Sequence, residues 1–169
     1  MAITPEIETR LNQLAEDLLQ EDDLGAAVRA HIRIESVLNE FVKLALYHPK
    51  HLKKMNLDFD QSVSLALALG LVEELGPPLH AMGSLRNKFA HEIGTQLDQS
   101  KVTALYGTFS TSAKAQAQQL FNRFNEAFSV KIDRLKNLPI RDQFIVYSLV
   151  IWINIQIAVI QLRQETGRA

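Results

Sequence analysis

The sequence predicts an all-α, up-and-down helical bundle with about five to seven helices, folded as a single domain over residues 1–169. Three observations carry this prediction. Apolar residues recur at helical spacing along most of the chain, and no segment shows sustained apolar/polar alternation closed by hairpin turns. Helix-starting and helix-stopping residues punctuate the chain at Thr4–Pro5, Gly70, Gly94, Gly107 and Pro139. There is also no internal repeat and no long low-complexity linker that would divide the chain.

Taken in order, "TPEIE" opens the first helix: Thr4 is a cap, Pro5 suits the first helical position, and Glu6 and Glu8 favour the positive end of the dipole. It is expected to run to about Gln20 and end in the acidic turn "EDDLG". The seven acidic side chains against Arg10 in residues 1–23 read as a solvated face. A second helix is expected over 24–47, with Ala27, Ala30, Ile34, Val37, Leu38, Phe41 and Ala45 as its apolar stripe. "YHPKHLKKMN" breaks that pattern at Pro49. A third helix, capped by Asp58 or Asp60, closes near Gly70, and a fourth runs from Pro78 to about Ile93 with Gly94 as its C-terminal cap. Residues 95–136 hold one or two more, broken at Gly107 and "GTFSTSA".

The last helix, about 140–165, contains the run "FIVYSLVIWINIQIAVIQL", 19 residues without a formal charge. That length is enough to span a bilayer. However, Asn154, Gln156 and Gln161 interrupt it, and Lys136, Arg141, Arg163 and Arg168 flank both ends without setting an orientation. Gln143, Tyr147, Val150, Asn154, Ala158 and Gln161 form one polar or small stripe, which predicts a core or dimer helix rather than a membrane span.

Composition narrows the function classes. With 47% hydrophobic and 22% charged residues the chain is an ordinary globular sequence, and its net charge of −1 argues against coating nucleic acid by bulk electrostatics. A local basic patch stays open. The absence of cysteine removes disulfides, thiolate zinc sites and cysteine nucleophiles, and fits a reducing compartment. "MAITPEIETRL" has neither a basic n-region nor an apolar h-region, so no secretory signal is read and a cytoplasmic location is expected. No phosphate-cradling Gly-rich loop, G-x-S-x-G or H-E-x-x-H is present. His48 and His51 are spaced as His-x-x-His but lack further ligands, so no metal and no cofactor is expected. Their neighbours Lys50, Lys53 and Lys54 read as a solvated basic turn, or as RNA contacts together with Lys88.

The stretch that asks for an explanation is "GSLRNKFAHEIG", 83–94. On a wheel, Leu79, Met82, Leu85, Phe89, Ala90 and Ile93 share one arc with Arg86 inside it, while His80, Ser84, Asn87 and His91 gather on a flank. A buried unpaired arginine is very unfavourable, so Arg86 must be paired, reach a cavity or face another subunit. In a structural account it pairs with Glu35 and His91 caps a carbonyl. In a functional account the trio cleaves RNA without a metal: histidine serves as base or acid, arginine grips the phosphate bidentately as charge develops, and asparagine orients them. Gly83 leaves room for another backbone or a ligand.

"LRNKFAHEI" resembles the Arg-x4-6-His motif of the HEPN superfamily, and "FDQSVSLALALGLVEELGPPLHAMGS" resembles the preceding helix and turn of its mannitol-repressor-like (MtlR-like) branch. The likeness covers about residues 22–94. It implies a bundle that dimerises with two motifs facing a shared cleft. It also implies a metal-independent endoribonuclease of toxin, antiphage or RNA-processing type, with Arg86 on the phosphate, His91 as acid–base group and Asn87 orienting them. An antitoxin or regulatory protein partner goes with that reading. The nucleotidyltransferase-paired toxin branch carries Tyr two residues after the histidine. Ile93 stands there, which departs from that branch. The alternative is a non-catalytic regulator or adaptor working through protein contacts. No helix rich in Arg, Lys, Asn and Gln stands out for reading DNA directly.

Overall fold

Seven α-helices account for the secondary structure of the computed structural model, which describes residues 4–92, 94–127 and 132–167. They are α1 (Pro5–Leu19), α2 (Asp23–Ala45), α3 (Phe59–Ala68), α4 (Gly76–His91), α5 (Gln99–Gly107), α6 (Thr111–Ala127) and α7 (Ile140–Thr166). Short 3-10 turns cover Pro49–Lys54, Glu73–Leu75 and Leu135–Asn137. The described residues contain no strand, so the chain is an all-α bundle.

Local chemistry explains most of the helix starts. The Thr4 hydroxyl accepts the amide of Ile7 with Pro5 in the first turn, and Asp22 accepts the amide of Gly25 at 2.7 Å. Asp58 and Gln61 close a reciprocal capping box on α3, which settles the cap on Asp58. Gly70 ends that segment with φ of +103°, a conformation open to glycine at little cost. α4 departs from expectation at both ends. It begins two residues earlier, at Gly76, and stops at His91, because Glu92 is already extended. Gly94 has φ of +83° but lies in the following turn, outside the helix cap. Ile93 falls outside the described residues.

α7 is the centre of the molecule. Phe144, Leu149 and Ile155 are fully buried on it, against Leu11 and Leu18 of α1, Ile34 and Leu38 of α2, Val102 of α5 and Ala117 of α6. Each of these side chains except that of Ala117 contributes roughly 1.5–3 kcal/mol by leaving water. By length and hydropathy α7 could cross a membrane, but 67% of its apolar window is buried inside the bundle. Its polar stripe is used within the chain. Gln143 donates to the carbonyl of Leu138 at 2.9 Å, Asn154 donates to Gln116 at 2.6 Å, and Tyr147 stacks on Tyr106 with ring centroids 5.0 Å apart. Gln143, Tyr147 and Asn154 of the stripe thus form an intramolecular seam, the core role the sequence offered for this helix, while Gln161 at its far end is exposed.

Candidate functional site

α4 buries Leu79, Met82, Leu85 and Phe89 and exposes Ser84, Arg86, Asn87, Lys88, Ala90 and His91. Arg86 and Ala90, placed on the apolar arc by the wheel, are thus solvent-facing. Geometry gives the reason. Phe59, the first residue of α3, lies against Gly83, where a Cβ would fall 2.8 Å from its Cδ1 atom. Beyond that point α4 has outrun α3, and its edge positions lose their cover. The room left by Gly83 is filled by the Phe59 ring, so it is not space for a ligand.

The polar flank divides at the same place. His80, at its covered end, is half-buried and its Nδ1 is joined to the carboxylate of Asp60 on α3. Ser84, Asn87 and His91 continue the flank in the open. The Arg86 guanidinium donates from Nη1 to the Asn87 side-chain oxygen at 3.1 Å. Among the described residues Arg86 forms no ion pair, whereas Arg29, Arg33, Arg123, Arg141 and Arg163 each meet a carboxylate. The expected Arg86–Glu35 pair is absent from these contacts. His91 is the last residue of α4, about 7.5 Å along the axis from Arg86 and about 140° around it. Arg86 and Asn87 are therefore in contact, and His91 stands one turn further on.

Behind Arg86 lies a residue that the apolar stripe of α2 passed over. His31 is 3% exposed, its ring centroid is 4.3 Å from that of Phe59, and its Nδ1 is 3.8 Å from Glu35, too far for a hydrogen bond. Its Nε2 is buried without a partner. Burial, and then the positive charge of Arg86, push its pKa down from 6.5 to about 4, so the ring is neutral at pH 7. A neutral ring is what a buried imidazole beside a guanidinium must be, since two positive charges there would repel in a poorly solvated setting. The only sequence signal was a histidine directly after Ala30 at the edge of an apolar stripe.

The basic turn is elsewhere. Lys50, Lys53 and Lys54 are exposed in the turn that follows α2, and Lys53 shares a groove with Asn39, Val42 and Lys43 of that helix. From His31 to Val42 is about 16 Å along α2, so these lysines do not join Arg86. Lys88 points about 160° away from Arg86 around α4. The rings of His48 and His51 are 6.4 Å apart, and among the described residues no three His, Asp or Glu side chains are grouped to hold a metal.

One further surface lies on α2. Leu24, Val28 and Ile32, one turn apart on α2, are 49%, 36% and 57% exposed, an apolar strip on the helix that carries His31 and Glu35. The chain matches no protein-family model, no curated protein and no solved structure. The class of protein is therefore defined by its own residues: an all-α bundle with an exposed Arg–Asn pair and a histidine at the open end of one helix.

Proposed function

We propose that the chain is a metal-independent endoribonuclease of HEPN type, cytoplasmic and active as a homodimer on RNA. The observation that supports it is the freedom of Arg86. A guanidinium braced by Asn87, exposed, and joined to no carboxylate among the described residues is spending no charge on the fold. In the reaction, Arg86 grips the non-bridging oxygens of a phosphodiester, with Asn87 holding Nη1 so that the remaining donors face outward. A base takes the proton of the 2′-hydroxyl, whose oxygen attacks phosphorus. The 5′-oxygen leaves as an acid returns a proton to it, giving a 2′,3′-cyclic phosphate and a 5′-hydroxyl end. His91 fills one of these proton-transfer roles.

His31 is buried and neutral and His80 is tied to Asp60, so neither is placed to be the second group. His91 of a second copy supplies it. The Leu24–Val28–Ile32 strip is the face on which that copy docks, because it presents more apolar surface than the bundle uses. The same strip also favours the second reading, a mannitol-repressor-like adaptor whose partner covers it.

Cleavage of labelled single-stranded and structured RNA in EDTA tests the proposal. Arg86→Ala and His91→Ala are each expected to slow cleavage by about 10²–10⁴-fold. Cleavage that survives both substitutions removes this site from the mechanism. Absence of cleavage by the wild type moves the assignment to the adaptor.

A further inference from the structure

A second arginine is held in place without a carboxylate, far from α4. Arg10 of α1 lies over the ring of Trp152, 5.6 Å from its centroid, and its Nη1 donates to the side-chain oxygen of Gln156 at 3.2 Å. Among the described residues it has no ion pair. Gln156 is only 2% exposed, in the middle of the core helix, and its Nε2 has no hydrogen-bond partner. A buried amide with one end unsatisfied is costly, and a leucine there would avoid the cost. What the glutamine does is fix Arg10.

Arg10 borders a cleft of about 170 Å3 between α1 and α2, floored by Trp152 and lined also by Gln13, Asp17, Arg33 and Ser36. Asp17 is already shared between Arg33 Nη2 at 3.3 Å and Gln13 Nε2 at 3.0 Å. The charges of the lining thus leave one positive charge uncompensated, that of Arg10. Two guanidinium forks and a hydroxyl around a small cleft suit a tetrahedral oxyanion, which accepts hydrogen bonds from several directions.

We infer that this cleft is a binding site for a phosphate group, either the free ion or the terminal phosphate of a nucleotide. Arg10 is the principal ligand, Arg33 and Ser36 are its companions, and Gln156 is a positioning residue. The site is independent of the ribonuclease reading, and its test does not pass through RNA cleavage.

Trp152 is the single tryptophan of the chain, so its fluorescence reports on the cleft directly. Titration with inorganic phosphate at constant ionic strength is expected to give a saturable change, with calorimetry as the second measurement because substituting Arg10 also alters the emission. Arg10→Gln should weaken phosphate binding by about tenfold or more. Gln156→Leu should weaken it while leaving the denaturation midpoint unchanged or higher, an outcome a purely structural glutamine would not produce. Arg123→Gln, which breaks a pair with Glu8 outside this cleft, should bind as wild type does. Saturation by adenosine 5′-monophosphate at a lower concentration than phosphate assigns the source to a nucleotide, and the reverse order assigns it to the free ion. An equal response to acetate or chloride overturns the inference, as does unaltered phosphate binding by Arg10→Gln.

Discussion

His31→Leu should remove most of the acid sensitivity that α2 brings to this fold. In the native bundle the imidazole is held to a pKa of about 4 by burial and by Arg86, against an ordinary 6.5 in the unfolded chain. Between those values the unfolded chain binds a proton at His31 that the folded chain excludes, so stability falls as the pH falls. Above pH 6.5 both states are neutral and the group is indifferent. At about 1.4 kcal/mol per tenfold, the loss from this one residue reaches about 3 kcal/mol near pH 4, a large share of the 5–15 kcal/mol typical of a domain. Leucine has a similar volume, packs against Phe59 and has no proton to bind. Urea denaturation of wild type and variant at half-unit pH steps from 7.5 to 4 isolates the difference, because the carboxylates titrate alike in both. The wild-type curve should fall below the variant's by about 3 kcal/mol across that interval. Parallel curves would show that His31 protonates freely in the fold, and the placement of Arg86 beside a buried ring would be wrong with it. Arg86→Ala supplies the complementary check: the His31 titration followed by NMR should move upward, and only part of the way to 6.5, because burial is the larger cause.

Gly83→Val drives methyl groups into the Phe59 ring, whose edge already lies 2.8 Å from an added Cβ, and should cost about 1–3 kcal/mol in thermal or urea denaturation. Ile32→Glu puts a charge at the most exposed point of the α2 strip. Sedimentation should show a dimer becoming a monomer with the fold intact, and an unchanged dimer would place the interface elsewhere. Arg86→Ala and His91→Ala should each alter stability by no more than about 0.5 kcal/mol, since both side chains are exposed, so any lost RNA cleavage is not unfolding.

Much of the bundle was legible in the chain because its signals are local. Thr4, Asp22 and Asp58 cap helices through bonds that reach three residues ahead, Gly107 is the last residue of α5, and Pro139 stands immediately before α7. The stripe Ala27, Ala30, Ile34, Val37, Leu38 and Phe41 is buried as its spacing requires, and its last member, Ala45, is partly buried. The nearness of Arg86, Asn87 and His91 is equally local, since they lie within six residues. Their surroundings are not. A wheel assigns a face but not how far along the helix a neighbour reaches. The wheel therefore puts Arg86 among apolar residues, although the Phe59 end of α3 lies at Gly83, one turn before it.

By itself, then, the sequence determined an all-α chain, the approximate limits of its helices, and a last helix apolar enough to be central. Tertiary structure alone decided that Arg86 is exposed, that His31 stands behind it as a neutral ring, that the polar stripe of α7 closes on α5 and α6, and that Gln156 reaches Arg10 across the core. The physical reason is range. Caps and periodicity act within one or two helical turns, whereas exposure, pairing and the protonation of a buried ring depend on side chains brought together from 28 to 146 positions away.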